Sequence, residues 1–404
     1  MFFKSRFFPV VIFLGLISSA VVADNPSPQR IILNLTASPA TSIAVTWQTD
    51  EQFANSAVQF SVATPWIEYE KQAISLTAIM QKFVTGDERI DYHYSAVMEN
   101  LSPNTTYIYR VGHDSVWSEW NQFVTAKQEP QPFKFIFLGD PQNDDHRPMA
   151  RVFQQAYRTA PDAGFWLFTG DLVNAPKDHL WSELFEAMSL FPRVTPSVMT
   201  PGNHDQMRNF VNSQKVSITA PIWHTHLTLP ENGIAGLNET SYFFDYQGVR
   251  FVMLNSNEKL AEQVIWLDSL LANNPNRWTI AAFHHPFYSM GHVRDDRFTR
   301  DAFLPIFDKY GVDLVLQGHD HVYSRTYPLR AGKIVASNQK GTVYVISVSC
   351  PKAYDVGKIN AGLMAKTGTQ AQLFQVISVE PNRLEYKSYT ANGLLFDEFE
   401  LKKL

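Results

Sequence analysis

Phe133-Lys-Phe-Ile-Phe-Leu138 runs straight into Gly139-Asp140-Pro141-Gln142, an apolar run of strand length that stops at a glycine and is followed at once by a carboxylate. The same pattern recurs four times. Phe165-Trp-Leu-Phe-Thr169 leads into Gly170-Asp171, and Ser197-Val-Met-Thr200 into Pro201-Gly202-Asn203-His204-Asp205. Ile280-Ala-Ala-Phe283 leads into His284-His285-Pro286, and Val312-Asp-Leu-Val-Leu316 towards Gly318-His319-Asp320-His321. Such runs predict buried strands that deliver polar side chains at their C-terminal ends. In α/β sheets that edge is where ligands bind. The glycines allow the chain to turn sharply and to approach an ion or a phosphate closely.

Taken singly, each block is no more than a common turn, and His319-x-His321 reads equally as a polar turn. All five in order, each after a strand-like run, form a far more specific signal. Asp, Asn and His supply carboxylate, carbonyl and imidazole donors suited to intermediate cations, and the blocks contain no thiolate to favour a soft metal. Six or more such donors exceed the needs of one tetrahedral ion. They suit two ions sharing a bridging carboxylate, and ions about 3.5–4 Å apart can stabilise both the attacking and the leaving oxygen of an in-line displacement at phosphorus.

The 404 residues allow two or three domains with a sizeable core. Met1-Phe-Phe-Lys4-Ser-Arg6, the apolar stretch Phe7 to Leu16 and Val21-Val22-Ala23 before Asp24 have the layout of a secretory signal peptide over residues 1–23, which predicts export to a periplasm or the extracellular space. The apolar stretch is short for the roughly 20 residues of a spanning helix, and no later segment is long and apolar enough, so no transmembrane segment is expected in the mature chain. Loss of Lys4 and Arg6 with the leader changes the net charge from −5 to −7. A mildly acidic protein exerts no general attraction on nucleic acid or acidic membranes, so an anionic substrate has to be held locally. Cys350 is the only cysteine, which rules out an intramolecular disulfide. Behind the run Val343 to Ser349 it reads as a small buried residue rather than a reactive thiol. Sequons at Asn34, Asn104 and Asn238 matter only in a glycosylating host.

Residues 24–127 read as short strands and turns. Ile43-Ala-Val-Thr-Trp47 alternates, and Leu101-Ser-Pro-Asn-Thr-Thr-Tyr107 is similar to the tyrosine-corner stretch of fibronectin type III sandwiches, with Tyr107 at the corner. Ala126 to Pro132 is a polar, proline-containing linker. From residue 133 to 404 strands alternate with helical segments such as Met149 to Ala160, His179 to Phe191 and Glu258 to Ala272. The last carries a core stripe of Leu260, Val264, Leu267 and Leu271. Strands return after Gly341, with Asn392-Gly393 as a hairpin turn. The expected catalytic domain is a two-sheet sandwich flanked by helices.

With Gly202-Asn203-His204, His284-x-Pro286, Gly318-His319-x-His321 and the front sandwich in place, the chain resembles the calcineurin-like metallophosphoesterases, and among them the purple acid phosphatase group. The resemblance covers nearly the whole mature chain. It implies an all-β fibronectin III-like sandwich followed by a four-layer αββα domain that hydrolyses phosphate esters. It also implies Asp140 and His321 as ligands of a first metal, Asn203, His284 and His319 of a second, and Asp171 as the bridging carboxylate. The ions would be divalent or mixed-valence iron, zinc or manganese. Such a pair would lower the pKa of a bound water and provide hydroxide for attack at phosphorus. His204 is similar to the family histidine that steadies the phosphoryl oxygens or protonates the leaving group, with Asp205 as its orienter. His292 resembles a second substrate histidine, the other reading being an exposed loop residue. The H-x-P pattern selects His284 over His285, because neighbours on an extended chain point oppositely. His146, His179, His224 and His226 match no motif and default to surface or loop positions.

Two positions depart from the family. Asn174 stands where purple acid phosphatases carry a tyrosinate ligand, so the first site need not hold ferric iron. Gln142 stands where many metallophosphoesterases carry a histidine, and either ligates through its carbonyl oxygen or lines the pocket. The leading expectation is an exported phosphomonoesterase acting on small phosphate esters. The alternative within the same chemistry is a phosphodiesterase for nucleotides or lipid head groups. The loops Asn143 to Arg147 and Ile218 to Gly236 are expected to shape the leaving-group pocket that separates the two. Outside that chemistry stands a non-catalytic adhesion protein with structural metals, disfavoured because His204 and His292 have no ligand duty. Asn174 makes the purified native protein colourless by expectation; a visible iron–tyrosinate charge-transfer band in its absorption spectrum contradicts this.

Overall fold

The structure is a computed structural model that describes residues 27–403 except 143–144, 146, 212–213, 292–296 and 337–338. The expected leader, Met1 to Ala23, and with His146 and His292 two of the twelve histidines, lie outside the described residues.

Three of the sequence blocks begin on one sheet. Phe133–Leu138, Trp166–Phe168 and Ser197–Met199 pair in parallel, with Ile136 opposite Trp166 and Phe168 opposite Met199. Both faces of these strands are buried, which is why they read as continuous apolar runs and not as alternation. The other two blocks begin on a seven-stranded sheet. There Val249–Met253, Trp278–Ala282, Leu314–Gln317 and Val343–Ile346 run parallel, with Ala282 opposite Leu316. Because all these strands point the same way, the five polar blocks emerge on one edge of a two-sheet sandwich.

Aromatic side chains fill the space between the sheets. Phe165 stacks on Phe135 at 5.1 Å and meets Phe251 edge-on at 5.2 Å, while Phe244 stacks on Phe251 at 4.9 Å. Each such ring contributes roughly 1.5–3 kcal/mol by burial, and offset or edge-on contacts add about 0.5–1.5 kcal/mol. Helices Arg147–Thr159 and Asp178–Met188 cover the outer face of the first sheet, with Phe153 against Trp166 at 6.2 Å. Leu260–Ala272 and Arg297–Tyr310 cover the second, through a cluster that includes Leu267, Leu271, Phe303 and Phe307. These are the four layers. The C-terminal hairpin Arg383–Thr390 and Leu395–Lys402 turns at Asn392-Gly393, where Gly393 has φ +86°.

The front sandwich contains the tyrosine corner: Tyr107 Oη accepts a 2.8 Å bond from the Ser102 amide. Trp47 is fully buried and stacks on Tyr94 at 5.7 Å. One feature departs from the picture of two units joined by a linker. Gln29–Leu35 pairs in parallel with Ser197–Met199, so strands of the front unit extend the catalytic sheet into one ten-stranded sheet. Asn34 seals this junction, donating to the Ser197 carbonyl at 3.0 Å and accepting from the Thr228 amide at 3.1 Å. It is fully buried, so its sequon is closed to glycosylation.

Two further segments differ from expectation. Gln206–Val211 and Gln214–Thr219 form a hairpin, and Pro221–His226 is a short helix, so the stretch after Ile218 is not one long loop. His226 is also not at the surface. It is buried, stacks on Trp181 at 4.6 Å and meets Arg30 Nη1 at 2.9 Å. His224, on the same helix, is half-buried and paired with Glu239 at 2.6 Å, while His179 is exposed as expected. A residue-by-residue reading misses His226 because its partners come from the front unit and from a distant helix.

Arg30, in the left-handed region at φ +49°, reaches across the junction to both oxygens of Asp178, which Arg89 also binds. Asp91 is buried beside them, and burial together with the Asp178 carboxylate pushes it up to about 6 against the pull of Arg89 and Arg30. A carboxyl raised in the folded state contributes stability that is present at low pH and lost as pH rises from its unfolded value, about 4, through about 6. Asp91→Asn fixes the neutral form. Its urea midpoint is therefore expected to exceed that of the parent at about pH 7.5 and to match it at about pH 4.

Candidate metal centre

The turns that follow the strands are held in unusual backbone conformations. Asp140 (φ +45°), Asp171 (φ +49°), His319 (φ +75°) and His321 (φ +49°) all occupy the left-handed region, which non-glycine residues seldom adopt. Strain of this kind persists only where the surroundings impose it, and it clusters at functional sites. Two glycines make the crowding possible. A Cβ on Gly202 would lie 2.1 Å from Asp171 Oδ1, and one on Gly318 would lie 2.5 Å from Asp140 Oδ1.

His284 stands at the centre of the cluster, with no exposed surface. Its Nδ1 donates to the Thr169 carbonyl at 2.8 Å, which directs Nε2 into the site. There Nε2 lies 3.2 Å from Asp171 Oδ2, 3.1 Å from Asn203 Oδ1 and 3.1 Å from His319 Nδ1. One donor atom each from Asp171, His284 and His319 falls within a 4.8 Å span. Across Asp171 lies the second group. Gln142 Nε2 contacts Asp171 Oδ2 at 3.2 Å and His321 Nε2 at 3.0 Å, while Asp140 Oδ1 lies 3.4 Å from His284 Nδ1. The His321 ring is oriented from behind, its Nδ1 facing the Lys352 carbonyl at 3.2 Å. The structure thus brings Asp140, Gln142, Asp171, Asn203, His284, His319 and His321 together, with Asp171 between two groups of donors.

These residues fit a pair of cations. Both oxygens of Asp140 are buried without a well-formed hydrogen bond, as is Gln142 Oε1. The charge of the His284 ring, 3.4 Å away, and a marginal backbone hydrogen bond from His319 are what reach Asp140. Burial, with the like charge of Asp171, holds Asp140 well above the usual carboxylate range, whereas His284 keeps Asp171 below it despite burial. Against its own burial, His284 is raised to about 9 by Asp171 and Asp140. A bound cation would offset carboxylates that burial has stripped of water.

His204 is half-exposed and lies outside this donor set. Its amide donates to Asp171 Oδ1 at 2.8 Å and its Nδ1 to the Asn174 carbonyl at 2.7 Å, which leaves Nε2 for a substrate. The orienter of His204 is therefore the main chain of Asn174 and not Asp205. Asp205 accepts from the Leu172 amide at 3.1 Å and the Gly202 amide at 2.8 Å, tying the Asp171 turn to the Asn203 turn. Burial, then Asp171, pushes it up to about 7. His285 meets Ser256 Oγ at 2.9 Å, but its ring lies 5.1 Å from that of His284 and 4.6 Å from that of His319, so it packs beside the donor rings instead of pointing away from them.

Two further residues prove structural to the site, Asp320, which had no assigned role, and Cys350, buried as expected. Asp320 Oδ2 accepts from Ser289 Oγ and the amides of Met290 and Gly291, anchoring the chain just ahead of His292. Its position between two ligand-type histidines was the available signal. Cys350 Sγ sits 3.2 Å behind His321 Nδ1, on the side away from Gln142, and burial pushes its thiol up to about 12, so it is packing and not a nucleophile. Removing the Asp205 clamp with Asp205→Ala is expected to weaken metal binding about 10–100-fold, measured by competition with a chromogenic chelator.

Known proteins resemble this chain over most of its length. The calcineurin-like phosphoesterase family matches residues 133–323, and the purple acid phosphatase N-terminal domain matches residues 28–125. Acid phosphatase type 7 of Mus musculus is 26% identical over 361 residues, covering 80% of this chain and 78% of that protein. An uncharacterized protein of Mycobacterium tuberculosis is 26% identical over 333 residues, which is 72% of this chain but 60% of the length of that relative. In three dimensions the purple acid phosphatase of yellow lupin seeds superposes with a TM-score of 0.81 at 18% identity, covering 94% of this chain and 75% of that one, a likeness of fold. This chain joins a purple acid phosphatase N-terminal domain to a calcineurin-like metallophosphoesterase domain.

Proposed function

We propose that the chain is an exported, dinuclear-metal phosphoesterase that hydrolyses small phosphate monoesters. The observation that carries the reading is Asp140: a fully buried carboxylate with no well-formed hydrogen bond to either oxygen, set beside a second buried carboxylate and three imidazoles. In this assignment Asp140 and His321 hold one ion, Asn203, His284 and His319 the other, and Asp171 both, with Gln142 lining the first site. Iron, zinc and manganese all suit the donor set. Two such ions, when bound, polarise the phosphoryl oxygens and activate water for in-line attack.

The remaining work falls to protein groups. Thr169 and Lys352 hold the rings of His284 and His321 through their carbonyls, so the donors are aimed before any ion or substrate arrives. The Asn174 carbonyl holds His204 so that Nε2 carries the proton-transfer role. As imidazolium it donates to the leaving oxygen while the P–O bond breaks, so that the alcohol departs neutral. His292 is proposed as a second phosphoryl contact on the chain that Asp320 anchors. Residues 1–23 are proposed to direct export and to be removed, which leaves the mature enzyme in the periplasm or outside the cell.

The test is an assay of the purified mature chain with matched mono- and diesters of one phenol, metal content being measured on the same sample. Monoester hydrolysis that disappears on complete metal removal and returns with metal is expected; activity that survives removal refutes the mechanism. His204→Ala is expected to lower kcat about 10²–10⁴-fold with metal content unchanged. A diester preference would instead support the alternative reading.

A further inference from the structure

The segment Cys350 to Asn360 forms a wall beside His321, and several bonds fix it there. The Cys350 amide donates to the Asp140 carbonyl at 3.1 Å and the Tyr354 amide to the His321 carbonyl at 3.1 Å. Further on, the Gly357 amide reaches the Met290 carbonyl at 2.6 Å and Asn360 Nδ2 the Ser289 carbonyl at 2.9 Å. The wall is thus tied to the Asp140 and His321 turns at its start and to Ser289 and Met290 at its end.

On this wall the Tyr354 ring lies 5.0 Å from the His321 ring at 50°, and Lys352 Nζ lies 5.5 Å from the Tyr354 ring centroid. Lys352 is exposed, and no ion pair joins it to a described residue. Its charge nevertheless acts on His321 and Cys350. An aromatic face therefore holds an ammonium two ring contacts from a ligand imidazole.

Charge around the site gives this ammonium a purpose. Asp140 and Asp171 lie among the donors, with Asp205 and Asp320 buried beside them, so protein carboxylates would offset much of the charge of two divalent ions. The net charge of −5 also repels a polyanion. The phosphoryl group itself would be met by the ions, but a second anionic group on the leaving alcohol would find no partner among the ligands.

Resting on the phosphoesterase reading, we infer that Lys352, positioned by Tyr354, is a specificity determinant that selects phosphate monoesters whose alcohol carries a second anionic group, a carboxylate or another phosphate. The interaction is a rim contact with a point charge, so it is sensitive to salt and tolerant of the anion's shape.

The probes are 4-carboxyphenyl phosphate and its near-isosteric neutral partner, 4-carbamoylphenyl phosphate. The metal-loaded parent is expected to favour the carboxylate, and the ratio of kcat/KM between the two is the quantity read. Lys352→Met is expected to lower that ratio about tenfold, through KM, and Lys352→Arg to retain most of it. Tyr354→Leu is expected to lower it and Tyr354→Phe to keep it. Raising NaCl to about 1 M should shrink the ratio in the parent and leave Lys352→Met unmoved. A ratio unchanged by Lys352→Met, with both substrates turned over, overturns the Lys352 assignment alone. A metal-loaded parent that turns over neither overturns the phosphoesterase reading and this one with it.

Discussion

Two carboxylates, Asp140 and Asp171, are buried side by side at the ends of adjacent parallel strands, and His284 lies between them. Without a counter-charge this arrangement is costly, because desolvation and mutual repulsion both disfavour ionisation. Much of the surrounding chain is arranged to sustain it. Asp171 receives the His204 amide, His284 is braced by the Thr169 carbonyl, and Asp205 fastens the two turns on either side. Asp140 is left with nothing comparable. In the proposed function cations would take the place of the missing partners, which would tie folding of the turns to metal binding.

That requirement explains the backbone. Side chains from five turns can converge on a volume a few ångströms across only if the turns double back tightly, and four of the ligand-type residues accept left-handed φ angles to do so. The strain is borne by rigid neighbours, a pair of sheets locked by Phe135, Phe165, Phe244 and Phe251. The front unit adds to this rigidity, since Gln29–Leu35 extends the same sheet at the strand that delivers Asn203, and Arg30 ties it to Asp178. The front sandwich therefore acts as a brace for the catalytic sheet rather than as a tethered appendage.

Much of this is legible in the sequence because the relevant signals are local. An apolar run ending in glycine and a polar residue marks a parallel strand and its functional edge, so Asp140, Asp171, Asn203, His284, His319 and His321 stand out from the order of residue types alone. Tyr107 and the Asn392-Gly393 turn are local in the same sense. What the sequence hides is set by contacts distant along the chain. His226 is buried by Trp181 and Arg30, and Asp205 serves the Leu172 and Gly202 amides in place of its neighbour His204. Asn174 draws notice for the tyrosinate it lacks; its carbonyl matters more, because it orients His204. Left-handed conformations at aspartate and histidine leave no signature in the residue types themselves.

The central claim is that Asp171 is shared by two ions held on the edge of this sandwich. Anomalous diffraction from crystals of the metal-loaded protein, recorded on both sides of the absorption edge, tests it most directly. Two peaks about 3.5–4 Å apart, one on the Asp140 and His321 side of Asp171 and one on the Asn203, His284 and His319 side, are the expected result. A single peak, or ions bound elsewhere with Asp140 still without a partner, would contradict the account.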